Sequence, residues 1–154
     1  FKDAEMMFEP RTIEGYSIST KQLFGEGYVL CGNATEFLDP VFSSGVTFAM
    51  ESGNKAGKLV GEMLGGRNID WQKEYTDYMM QGINTFRTYV SGWYDGKLHS
   101  IFFAEKQMED VKEKICSVLA GYVWDMENPY VNNHEESVRK LARVLEIDKI
   151  LAEG

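Results

Sequence analysis

Apolar residues follow two different periods along this chain, with the change near residue 46. Before it, they alternate or cluster over only a few positions. Tyr16-Ser17-Ile18-Ser19 alternates as a half-buried strand does, and Tyr28-Val29-Leu30-Cys31 is a short apolar run led in by Gly25 and Gly27 and closed by Gly32. Such a run predicts a strand covered on both faces. The connection over 21–27 predicts that it folds back on 16–19 as a hairpin. Two strands alone are marginal in water, so the helices that follow must support them. Residues 1–12 carry Phe1, Met6, Met7 and Phe8, but Pro10 breaks any helix, which leaves a strand or linker.

Beyond residue 46 the period is helical. Val46, Ala49, Met50, Gly53, Ala56, Val60 and Met63 share one stripe over 46–64, and Gly65-Gly66 supplies a C-terminal stop. Gly53, Ala56 and Gly57 permit a close neighbour at a cost of about 1 kcal/mol of helix propensity per glycine. Packing onto a sheet explains them more simply than a helix–helix dimer face. Asp70 caps a second helix whose apolar positions are Trp71, Tyr75, Tyr78, Met79, Gly82, Ile83, Phe86, Val90 and Trp93. This aromatic stripe reads first as core and secondarily as the lining of a pocket for a flat organic ligand.

Asp95-Gly96 ends that helix, and 98–103 forms an apolar turn. A third helix carries Met108, Val111, Ile115, Val118, Leu119 and Tyr122 opposite a solvated face of Glu and Lys at i,i+4 spacing. Asn128-Pro129 stops the chain. Asn133 with Glu136 then resembles a capping box for a last helix bearing Val138, Leu141, Ala142 and Leu145, with a tail that frays from Asp148. The predicted fold class is α+β and mostly helical, a short β-hairpin followed by about four helices.

Between the two regimes lies a polar loop. Asn33, Thr35, Glu36 and Asp39 crowd it, Asp39-Pro40 marks a turn, and Ser43-Ser44-Gly45 places small residues just before the first helix. The first turn of a helix has N–H groups without intrahelical partners and a partial positive charge, so an electron-rich group is welcome there. Gly45, lacking a Cβ, lets a flat ring approach the backbone. On pattern alone, simple capping is the commoner meaning of Ser-Ser-Gly.

Composition narrows the function classes. A chain of 154 residues suits one domain. A net charge of −8 with no basic cluster excludes nucleic acid as a partner. No apolar run reaches the roughly 18–20 residues of a membrane span. Cys31 and Cys116 sit in apolar surroundings and read as buried thiols in a reducing cytoplasm. His99 and His134 lack a metal-ligand pattern, and Ser43 and Ser44 lack the G-x-S-x-G elbow of hydrolases. Glu36 and Asp39 are more simply turn formers than an acid–base pair. No G-x-G-x-x-G occurs anywhere.

Residues 32–46, GNATEFLDPVFSSGV, resemble the second flavin-binding motif of the FAD-dependent halogenases and their relatives among flavoprotein monooxygenases and reductases. Members carry Gly-Asp-Ala, then Phe, a hydrophobic residue, Asp-Pro and Ser-Ser-Gly-Val or similar. Gly15-Tyr16-Ser17 and Gly25-Glu26-Gly27-Tyr28-Val29-Leu30 are similar to the strand pair leading into the motif, and LAGYVWDMENPYV at 119–131 is similar to a segment near the family's C-terminus. The resemblance implies an FAD/NAD(P)-binding, Rossmann-like flavoprotein. Gly32 and Asn33 then stand where the family has Gly-Asp, whose acid holds the ribityl chain, and the Asn amide both accepts and donates hydrogen bonds. Asp39 and Pro40 match the turn, while Ser43, Ser44, Gly45 and Val46 match the segment facing the pyrimidine edge of the isoalloxazine. Ser44 and Gly45 would also fall at the halide position.

The resemblance further implies a C-terminal fragment, since the chain opens at Phe1 and lacks the pyrophosphate motif. Residues 1–66 would be the C-terminal part of the FAD-binding domain and 67–154 a helical C-terminal region. The partner would be the missing N-terminal dinucleotide-binding half, and the substrate a small organic molecule. Catalytic residues, including the acid-transferring lysine of a halogenase, would lie in the absent part. By itself the fragment would be inactive, bind FAD weakly and self-associate through an unpaired strand edge and an uncovered helix face. The competing expectation is a non-enzymatic helical interaction or assembly module that keeps only the fold.

Overall fold

The computed structural model describes residues 7–104 and 108–153, with side chains through residue 146. Of the strand or linker expected over 1–12, residues 1–6 lie outside the described residues, and 7–12 form neither helix nor strand. Four short strands precede the helices: β1 (Ile18–Ser19), β2 (Phe24–Gly25), β3 (Tyr28–Val29) and β4 (Glu36–Phe37). They form two antiparallel pairs. Ile18 stands opposite Phe37 in one, and Phe24 opposite Val29 in the other. The expected pairing of 16–19 with 28–31 is therefore replaced. Glu26-Gly27, with Gly27 at φ 78°, closes a two-residue turn that pairs β3 with its immediate predecessor. That local closure leaves β1 free to meet β4. Nor is the 28–31 run covered on both faces, because Tyr28 is exposed and Val29, Leu30 and Cys31 are half-buried.

Helix α1 (Ser44–Leu64) starts two residues earlier than its periodicity suggests, and it turns the other way. Its buried residues are Ser44, Phe48, Ser52, Ala56 and Leu59, whereas Val46 and Met50 of the predicted stripe are 69% and 71% exposed. The bulk of Phe48 decides the inner face: its ring meets Phe86 edge-on at 5.3 Å and Trp124 at 6.3 Å. Ser52 belongs to that face although polar, because its Oγ accepts from the Gly32 N–H at 2.8 Å and donates to the Phe48 carbonyl.

The second helical segment opens with a π-helical turn over Gln72–Asp77 and continues as α2 (Tyr78–Tyr94). Asp70 caps it as expected, accepting from Lys73 N at 3.1 Å. The aromatic stripe is core: Tyr75, Met79, Ile83, Phe86 and Tyr89 are buried. Tyr75 Oη donates to the Leu30 carbonyl at 2.5 Å and so fastens the strand region to this helix. Residues 98–103, read as a turn, contain a short helix α3 (Lys97–Phe102).

Helix α4 (Glu109–Leu119) buries Ile115 and Val118 but ends before Tyr122, which is 65% exposed, because Gly121 at φ 102° redirects the backbone toward α1. Cys116 is exposed, contrary to expectation. It falls on the solvated side of α4, next to the buried Ile115. Cys31 is half-buried, and both thiols are free. Asn128 caps α5 (Pro129–Asn132) by accepting from Tyr130 N, and α6 (His134–Glu153) continues through the tail expected to fray from Asp148. Among the described residues, no helix is long and apolar enough to cross a membrane.

Candidate functional site

The polar loop and the start of α1 enclose an open hollow of about 590 Å³. Its construction begins at Asp39. The extended Asp39 accepts from Val41 N at 2.8 Å and launches a single 3₁₀ turn, Pro40–Phe42, with proline at the position where a missing N–H costs nothing. Phe42 anchors the turn by meeting Trp93 edge-on at 5.9 Å. The next residue, Ser43, takes φ 53°, the one positive φ outside glycine among the described residues. This left-handed step costs about 1–2 kcal/mol, and it swings the chain directly into α1 at Ser44.

Ser43 makes no capping hydrogen bond, and no acidic side chain lies in the first turn of α1. Simple capping, the commoner meaning of Ser-Ser-Gly, is thus not what these residues do. Ser44, Gly45 and Val46 of that first turn line the hollow, and the partial positive charge of a helix start is met there by neither a side-chain cap nor an acidic residue of the turn. On the other side stands Asn33, carried by the 3₁₀ turn Gly32–Ala34. Gly32 sits behind the hollow at φ 57°, its N–H on Ser52 Oγ, so α1 itself positions the turn that presents Asn33. A Cβ on Gly45 would stand 3.6 Å from Asn33 Oδ1, inside the space between the two elements.

Asn33, Asp39, Pro40, Ser44, Gly45 and Val46 all line this hollow, with Ser43, and Gly32 alone of the predicted residues supports it from behind. The acid–base alternative for Glu36 and Asp39 meets a structural explanation instead. Asp39 Oδ2 accepts from Tyr94 Oη at 2.9 Å, which also raises the Tyr94 pKa. Glu36 is buried and accepts from Ser19 Oγ at 2.7 Å and from Arg87 Nη2 at 2.9 Å. Sequence reasoning missed Arg87 and Tyr94. Arg87 had a signal, since it is the one charged residue between Asp77 and Asp95 on an otherwise apolar and neutral helix.

Trp124 and Gly121, from the downstream segment 119–131, brace the floor. A Cβ on Gly121 would press on Thr47 at 3.0 Å, and the Trp124 ring stacks on Tyr78 with centroids 5.3 Å apart while Nε1 donates to the Tyr78 carbonyl. Sequence motifs 32–46 and 119–131 therefore meet at the N-terminal end of α1.

A crystal structure of a flavoprotein/dehydrogenase from Cytophaga hutchinsonii matches 97% of this chain at 58% identity and a TM-score of 0.90. A 1H-pyrrole-2-carbonyl-(peptidyl-carrier protein) brominase from Pseudoalteromonas luteoviolacea is 28% identical over 131 residues, 82% of the chain. The chain is a relative of halogenases and of a flavoprotein. The corresponding chlorinase from Pseudomonas fluorescens is 31% identical over 113 residues, 71% of the chain. These matches bear out the halogenase-like flavoprotein resemblance read from residues 32–46. The chain spans only 31% of the brominase, 24% of the chlorinase and 37% of the Cytophaga protein. No protein-family model matches it.

Proposed function

We propose that these residues form the flavin-edge part of an FAD-dependent oxidoreductase of the halogenase or monooxygenase kind. The observation that carries this reading is the uncapped first turn of α1, opening into a hollow that also holds Asn33. The residues fit a flavin in that the helix residue opposite Asn33 is a glycine, where a Cβ would stand 3.6 Å from Asn33 Oδ1. When bound, FAD supplies the redox chemistry, taking electrons from a reduced nicotinamide and passing them to oxygen.

The chain's own contribution is electrostatic and steric. The amides of Ser44, Gly45 and Val46 favour negative charge at the pyrimidine edge, and the bare backbone at Gly45 lets the ring approach. Asn33 exchanges hydrogen bonds with a ribityl hydroxyl. Asp39 and Pro40 hold the turn. The amides of Ser44 and Gly45 also suit a halide, since a helix N-terminus favours small anions.

In this reading, residues 1–66 complete the FAD-binding domain, 67–154 buttress it, and the N-terminal dinucleotide-binding half supplies the pyrophosphate site and the catalytic residues. The substrate is a small organic molecule, and the free thiols fit a cytoplasmic protein. By themselves the 154 residues are inactive and hold FAD weakly. A flavin absorbance band retained by them through gel filtration would contradict this.

The deciding experiment is an FAD titration of the intact parent protein and three variants, with folding followed by circular dichroism. Gly45→Val should weaken FAD by about 1–3 kcal/mol, roughly 5- to 150-fold. A Cβ at this position meets only Asn33 Oδ1, at an ordinary 3.6 Å, and the circular dichroism separates a loss of FAD from a loss of fold. Asn33→Asp should tighten FAD or leave it unchanged, and Lys112→Ala, exposed on α4, should be silent. Equal affinities for the parent and Gly45→Val would remove the hollow from the cofactor site.

A further inference from the structure

The hollow at the start of α1 has a buried acid in its wall. Glu36, on β4, is 4% exposed and lines the hollow together with Asn33, Ser44 and Gly45. Its hydrogen bonds both fall on one oxygen: Oε1 accepts from Ser19 Oγ at 2.7 Å and from Arg87 Nη2 at 2.9 Å, while Oε2 accepts from no protein group among the described residues. The cation stands on the other side. Arg87, on α2, has a 40% exposed side chain, donates through Nη1 to Asn84 Oδ1, and lines a separate cleft of about 650 Å³. The pair is therefore screened unequally. Water reaches the guanidinium, whereas the carboxylate is shut in beside the hollow, where a charge acts through a lower effective dielectric. Stability alone is a weak reason for such a pair, because well-packed apolar residues of similar volume often serve a fold as well or better.

We infer that Glu36 and Arg87 form a fixed charge couple that tunes the electron affinity of a flavin held in the hollow. The inference rests on the flavoprotein reading and deepens it. Two protein charges of opposite sign act on the hollow: the first turn of α1 is positive and favours electrons on the ring, and Glu36 is negative and opposes them. Arg87 cancels part of the Glu36 charge and so sets the balance. A flavin gains electron density on reduction, so a stronger negative charge in the wall disfavours the reduced form relative to the oxidised one. Both residues act through the field alone. Neither is a catalytic residue.

The test is the reduction potential of the FAD-loaded intact protein, read at pH 8.5 against a reference dye and without turnover. Glu36→Gln removes the negative charge and should raise the potential, whereas Arg87→Met removes its counter-charge and should lower it. Each should shift the two-electron equilibrium with the dye at least tenfold, about 30 mV. The double variant, which removes both charges, should return close to the parent, and Arg87→Lys, which keeps the cation, should stay there. Lys112→Ala, the loss of an exposed cation on α4, should leave the potential unchanged. A purely structural role would weaken FAD in both single variants without ordering their potentials by charge. Potentials equal to the parent's, or moved the same way in both single variants, would overturn the inference and leave the flavoprotein reading standing. If Arg87→Met does not fold, Glu36→Gln decides alone, and an unshifted potential in it overturns the inference. An intact parent that binds no FAD would defeat the flavoprotein reading, and the inference with it.

Discussion

Trp124 lies so close over Gly82 that a Cβ there would stand 2.4 Å from Cζ2 of the indole. The ring is held from the other side too, stacked on Tyr78 and bonded through Nε1 to the Tyr78 carbonyl at 2.8 Å. Gly82→Ala therefore cannot be absorbed by a small side-chain rotation. The variant should lose about 1–3 kcal/mol of stability by overpacking, against a gain of at most about 1 kcal/mol in helix propensity. Chemical denaturation followed by tryptophan fluorescence measures it, and an unchanged midpoint would mean that Trp124 does not pack here.

A second prediction concerns Glu36, whose side chain is 3% exposed while that of its partner Arg87 is 40% exposed. Removing the cation strands a buried carboxylate with only Ser19 Oγ as donor. Arg87→Met should cost about 1–3 kcal/mol, and Glu36→Gln less, because the amide oxygen still accepts from Ser19. The double variant should cost less than the sum of the two, the mark of a direct interaction. Strict additivity in a double-mutant cycle would show that the pair does not form.

The third prediction is a pH dependence at His134. Its Nδ1 lies 2.8 Å from Thr88 Oγ1, and partial burial pushes its pKa below the ordinary 6.5, partly opposed by Glu135. Unfolding raises the pKa, so the unfolded chain binds more protons between the two values. The stabilisation from keeping this ring neutral is full above pH 6.5 and is lost as pH falls through the lowered folded value. Melting temperatures measured between pH 7.5 and 5.5 should drop for the parent and drop less for His134→Gln. The same slope in both would assign the effect to other groups.

Local chemistry was readable from the sequence because its causes act over a few residues. Asp39-Pro40 makes its turn through one side-chain acceptor and one fixed φ, and Asp70 caps its helix three residues away. The aromatic stripe from Tyr75 to Phe86 was recognisable as core because no competing apolar face exists on that helix. The grouping of the loop residues was local in the same way: all seven predicted positions fall within residues 32–46, and six of them line one hollow.

Tertiary structure decided what depends on choosing between partners of similar local merit. α1 offers two apolar stripes, and periodicity favoured Val46 and Met50, but Phe48 found Phe86 and Trp124, and Ser52 found the Gly32 N–H. Strand pairing follows the tight turn at Gly27, which places β3 against β2 and leaves β1 to pair with β4. Arg87 reaches Glu36 across 51 residues, and Cys116 faces solvent because Ile115 and Val118 take the inner side of α4. Each of these outcomes is set by burial and by hydrogen bonds between segments distant in sequence, whose free energies exceed the small local preferences that a linear pattern records.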